Sequence, residues 1–123
     1  MKNFVVLIVS VLITSGCVMT SIDGSIREYK RAAINVDVGD TKQEVLTKLN
    51  KAVIKLPTKN IRLPDKYTAK GKEYEIIYFR SDRQPDGLTT DDEYTPYIFR
   101  DRILVAVGWQ ALGGPKSVGK IRY

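Results

Sequence analysis

Apolar residues recur at Val45, Leu46, Leu49 and Val53, a three-and-four spacing that predicts an amphipathic helix opening at Thr41. Thr41 followed by Glu44 is a capping box, in which each side chain satisfies a backbone N–H that the first turn would leave unpaired. Asn50 is the expected stop, because Asn tolerates the left-handed conformation that ends many helices. Upstream, Ile26, Tyr29 and Ala33 predict a short helix over Ser25–Ile34, followed by a turn at Asn35–Gly39.

The period then shortens to two. Glu73–Arg80 (EYEIIYFR) reads as a strand, with Tyr74, Ile76 and Tyr78 on one face and Ile77 and Phe79 on the other. Apolar on both faces, it belongs in the interior of a sheet. TPYIFRD and RILVAVGW form a hairpin across Arg100–Asp101–Arg102, with Pro96 at the strand start, where no ladder N–H is required. Ile103, Val105, Val107 and Trp109 alternate onto one half-buried face. Lys55–Lys72, with Pro57 and Pro64, reads as a loop with at most one helical turn, and Ser81–Tyr94 as a polar loop. The expected fold is α+β, with one or two N-terminal helices packed on a three-stranded antiparallel sheet over residues 26–110 and a flexible tail over 111–123.

The first residues follow neither period. After Met1-Lys2-Asn3, Phe4–Ile13 is apolar except for Ser10. Ten residues make about 15 Å of helix, half of a ~30 Å hydrocarbon core. A charged start, a short apolar run and the small residues Thr14-Ser15-Gly16 predict a secretory signal over residues 1–16. Cys17, the only cysteine of the chain, follows directly. The arrangement resembles the bacterial lipobox, departing from it at Thr14, where leucine is usual. That resemblance implies that the Cys17 thiol takes a diacylglyceryl group and that its freed amine takes a further acyl chain. It makes residues 17–25 a lipidated tether, and two or more chains anchor stably where one is marginal. Val18 in place of aspartate implies the outer membrane, periplasmic face.

Charge and composition narrow the chemistry. With no histidine and one cysteine, Ser-His-Asp and Cys-His relays and an intrachain disulfide are excluded. No cofactor, metal or small-molecule substrate is expected, and an exported chain is not expected to meet nucleic acid. The net charge of +6 is concentrated in Thr41–Lys72, where nine basic residues face two acidic ones. Lys51, Lys55 and Lys59 are the candidate contacts to anionic lipid headgroups. Gly114–Ile121 (GPKSVGKI) begins like a phosphate-binding loop, but Ile121 stands where Ser or Thr would hold magnesium. The acidic stretch Asp82–Glu93 lacks the spacing of a calcium loop, and carboxylate hydrolysis by Asp91 or Glu93 would need a cleft that nothing in the sequence indicates. Asp86-Gly87 reads as a turn, in a loop held by Asp and Thr side chains bonding to nearby backbone.

The same loop carries a resemblance. Asp86, Gly87, Thr89, Thr90, Asp92, Glu93, Thr95, Pro96 and Phe99, with Leu104 and Gly108 after them, match a pattern D-G-x-T-T-x-D-E-x-T-P-x-x-F found in a subgroup of small bacterial lipoproteins of unknown function. More distantly, Val36, Gly39, Thr41 and Val45 resemble the helix start of the BamE/SmpA/OmlA lipoprotein fold. The chain departs from that family at Leu49-Asn50-Lys51-Ala52, where a glycine and a proline are usual, and around Asp101, where the hairpin turn usually holds glycine. The resemblance implies a non-enzymatic scaffold or accessory subunit of an envelope complex such as β-barrel assembly, with Asp86, Gly87, Thr89, Thr90, Asp92 and Glu93 as the partner loop. It leaves a second expectation open. The fold outline is shared with β-lactamase inhibitor proteins, which would make the chain a membrane-tethered inhibitor or ligand-binding module.

Overall fold

The computed structural model describes residues 21–83 and 89–115. Helix α1 spans Ser21–Ala33, starting ahead of the expected Ser25, and helix α2 spans Lys42–Lys55. The Thr41 hydroxyl accepts the Glu44 N–H at 3.1 Å, which is the Thr41 half of the expected capping box. Contrary to expectation, α2 does not stop at Asn50. That residue is exposed, where its propensity costs only about 0.5 kcal/mol, and the burial of Ala52 in the next turn outweighs it. The two helices pack side by side, with the Ser25 hydroxyl donating to the Ala52 carbonyl at 2.6 Å.

The sheet has four strands, one more than expected, and their order follows the chain: β1 (Asp65–Ala69), β2 (Lys72–Arg80), β3 (Tyr94–Arg100) and β4 (Ile103–Val107), all antiparallel. The unexpected strand is β1, within the segment read as a loop. Its signal is the turn after it. Lys70 and Gly71 take φ of 51° and 75°, and Asp101 and Arg102 take 50° and 64° in the second tight hairpin. Both are two-residue turns with positive φ at both positions, the type whose twist matches paired strands. Pro96 is buried near the start of β3 with its carbonyl accepting from Gly108 N–H at 2.8 Å, so its missing N–H faces the β4 side where that ladder has run out.

Each face of the sheet has its own core. On the helix side, Phe79, Tyr97, Phe99 and Leu104 pack against Tyr29, Val45, Leu49 and Ala52. Complete burial of each such large side chain contributes about 1.5–3 kcal/mol. On the other side, Ile76, Tyr78, Tyr94 and Ile98 are covered by Tyr67, Tyr74, Trp109 and Leu112. Trp109–Leu112 forms a 3₁₀ turn that continues this packing beyond Gln110, into the segment expected to be a tail.

The alternation expected in β4 fails. A bulge between Ile98 and Phe99 shifts the register, so Leu104 pairs with Phe99 while Ala106 pairs with Ile98. The extra residue turns Leu104 to the helix side and Ala106 to the other side. Ile103, Val105 and Val107 therefore do not form one buried stripe; they are 38%, 39% and 44% exposed.

Candidate interaction sites

The described part of the acidic loop between β2 and β3 is built inward. Thr90-x-x-Glu93 repeats the capping-box spacing of α2 around a 3₁₀ turn, Asp91–Glu93. One Glu93 carboxylate oxygen accepts the Thr90 N–H at 3.3 Å, and the other accepts from the Arg80 guanidinium. Both side chains of that ion pair are buried. Arg80 also donates to the Asp82 carbonyl at 3.0 Å and to the Tyr94 hydroxyl at 3.4 Å, and the Tyr94 hydroxyl donates to the Asn60 carbonyl at 2.6 Å. The Glu93 carbonyl accepts from the Ser81 and Asp82 N–H groups at 3.0 and 3.1 Å, closing the base of the loop.

Two further carboxylates of this turn are occupied. Arg62 reaches Asp91 at 2.5 Å while its guanidinium lies 3.9 Å above the Tyr78 ring and 5.4 Å from that of Trp109. Asp92 accepts from the Thr90 hydroxyl. Trp109 is fixed by donating to the Tyr94 carbonyl at 2.7 Å, and the Tyr78 hydroxyl donates to Asp65 at 2.6 Å. Burial, reinforced by that bond, pushes the Tyr78 phenol up to about 12.

Of the partner-loop residues expected from sequence, Glu93 is wholly buried and is not available to a partner. Thr90 and Asp92 are half-buried, and Thr89 is exposed. Asp86 and Gly87 lie outside the described residues, as does Cys17. Arg62, Arg80 and Trp109, which hold this turn, carry no local signal of that role in the sequence, whereas the Thr90/Glu93 spacing does. Among the described residues, no group of three or more acidic, Cys or His side chains converges to hold a metal.

The predicted lipid contacts lie elsewhere. Lys51 and Lys55 stand one turn apart on the exposed side of α2, and Lys59 sits in the 3₁₀ turn Thr58–Asn60 beyond its end. Lys55 bonds Glu28 of α1 at 3.1 Å, and this hydrogen bond holds the Glu28 carboxyl below its ordinary range. Lys48 similarly bonds Asp40 at 2.9 Å and the Asn35 carbonyl at 2.7 Å, tying the α1–α2 connection down. The Asp40 carboxyl is lowered first by the Asp37 N–H and then by Lys48, whose own ammonium is raised in return.

At the end of the sheet holding both hairpin turns, a shallow cleft of about 320 Å³ opens beside α2. Lys42, Lys66 and Arg102 line it together with Glu73, Glu75 and Asp101, so its charges are balanced, and Lys42 bonds Glu75 at 2.6 Å.

A family model described as a protein of unknown function, DUF3192, matches residues 24–113. No curated protein and no solved structure matches the chain.

Proposed function

This chain belongs to the DUF3192 family, and for it we propose the role of a non-enzymatic scaffold or accessory subunit, with a BamE-like domain held on the periplasmic face of the outer membrane by lipid on Cys17. The observation that carries the reading is the use made of the acidic loop. Glu93, Asp91 and Asp92 bond Arg80, Arg62 and Thr90, so the carboxylates that hydrolysis would recruit serve to fix a surface. A turn over residues 90–93 whose carboxylates are internally bonded suits binding, since little of its conformational freedom remains to be lost on association. Among the described partner-loop residues, Thr89, exposed beside the network, is the one that would meet a partner. The anchor rests on the lipobox resemblance around Cys17.

The test is crosslinking in living cells with a C-terminal tag, followed by purification in detergent, with Cys17→Ala as the unanchored control. Enrichment of envelope-assembly subunits with the wild type and their loss in the control is the expected result. Recovery of a soluble periplasmic enzyme from both would overturn it in favour of a tethered inhibitor.

A further inference from the structure

Charge is divided between the two layers of the fold. Helices α1 and α2 together carry seven basic residues (Arg27, Lys30, Arg31, Lys42, Lys48, Lys51, Lys55) against Asp23, Glu28 and Glu44. Across residues 65–107, which hold the sheet, seven basic residues meet nine acidic ones. Most cations of the helical layer lie on its outer side, while Lys42 pairs with Glu75 of the sheet. Arg27, Lys30, Arg31, Lys51 and Lys55 are exposed, whereas Ser25, Tyr29, Val45, Leu49 and Ala52 are buried against the neighbouring helix and the sheet. Two of the three anions are already engaged, Glu28 with Lys55 at 3.1 Å and Asp23 with Arg83 at 3.5 Å. Among these cations stands Ile54, 70% exposed, between Lys51 and Lys55.

Chain length limits where this face can go. Cys17 is four Cα–Cα steps from Ser21, where α1 begins, a reach of at most about 14 Å. With acyl chains on Cys17, the start of α1 stays within that distance of the headgroups. A basic helical face with an apolar residue in it is the surface that an anionic interface attracts.

We propose that the outer face of the α1–α2 layer lies on the anionic surface of the bilayer that holds Cys17, with Ile54 at the headgroup boundary and Arg27, Arg31 and Lys51 over the phosphates. The Trp109–Leu112 turn, across the opposite side of the sheet, then faces away from the membrane. The inference rests on the lipid anchor proposed above.

The test uses the full acylated chain reconstituted in phosphatidylcholine vesicles with and without phosphatidylglycerol. An environment-sensitive dye is placed at Ile54→Cys or, as the control, at Gln110→Cys on the distal turn. The expected result is a blue shift and a several-fold gain in emission at position 54 in the anionic vesicles alone. That gain is lost in high salt and in Arg27→Glu/Lys51→Glu, with no change at position 110. Equal responses at the two positions, or a response at 54 indifferent to the anionic lipid, would overturn the orientation. The mass of the purified chain reports acylation separately. An unmodified Cys17 refutes the anchor and the inference together, while a modified Cys17 with a silent position 54 refutes the orientation alone.

Discussion

Arg80 and Glu93 form an ion pair between the end of β2 and the start of β3, with side chains 3% and 0% exposed. Removing one partner leaves the other charge buried and uncompensated, a cost of about 3–5 kcal/mol. Glu93→Gln is therefore expected to lower the urea midpoint steeply, and Arg80→Met with Glu93→Leu to cost less than either single change. A Glu93→Gln variant as stable as the wild type would show that the pair does not hold the loop.

The Tyr29 and Tyr97 hydroxyls bond each other at 2.8 Å inside the helix-side core. Burial, with the Tyr29 bond, raises the Tyr97 phenol well above its ordinary value. Tyr97→Phe strands the Tyr29 hydroxyl and should cost about 1–3 kcal/mol, whereas Tyr29→Phe/Tyr97→Phe should be nearly neutral. A double-mutant cycle measured by chemical unfolding checks this, and additive costs would contradict the pairing.

Stability should fall at both ends of the pH range. The Asp40 and Glu28 carboxyls sit below their ordinary values of 3.8 and 4.5, so their contribution is full above those values and lost as pH drops through the lowered folded ones. Tyr78, raised from 10.0 to about 12, works in the opposite direction: its contribution is full below pH 10 and lost as pH rises through 12. Unfolding midpoints against pH should show the acid limb flattened in Asp40→Asn and the alkaline limb flattened in Tyr78→Phe.

Arg102 adopts φ of 64° in the second position of the β3–β4 turn, a conformation that costs a side-chain-bearing residue roughly 1–2 kcal/mol. Arg102→Gly creates the Asp-Gly pair favoured in such turns and should stabilise the domain by about 0.5–1 kcal/mol. Thermal unfolding reads the change, and a lower midpoint would mean that the Arg102 side chain contributes more than its backbone costs.

What the sequence disclosed depended on the range of the signal. The α2 cap is local, because the Thr41 hydroxyl meets the Glu44 N–H three residues on, and the central position of β2 follows from its two apolar faces. The end of α2 was obscured because Asn50 is a plausible stop by itself, and only the burial of Ala52 against α1 carries the helix on. β1 escaped because an edge strand pairs on one side, and Asp65, Lys66 and Thr68 leave it without an apolar alternation. The faces of β4 depart from simple alternation because a bulge is a property of the pairing with β3, which the β4 residues alone do not encode. In the acidic loop, Thr90 and Asp82 bond nearby backbone as expected, but Asp92 bonds the Thr90 hydroxyl, and the partners of Glu93 and Asp91 lie 13 and 29 positions away.

The strand order also has a consequence for how the chain reaches its native state. Each strand pairs with its sequence neighbour, and two of the three connections are two-residue turns, so the pairings require little loop closure. The contact between Tyr29 and Tyr97 spans 68 positions. During synthesis α1 and α2 emerge first, yet the surface that buries Tyr29, Val45 and Leu49 is complete only once Leu104 has been made. The helices therefore cannot bury these side chains until the last strand is present, and a chain shortened before Leu104 would leave their apolar stripe open.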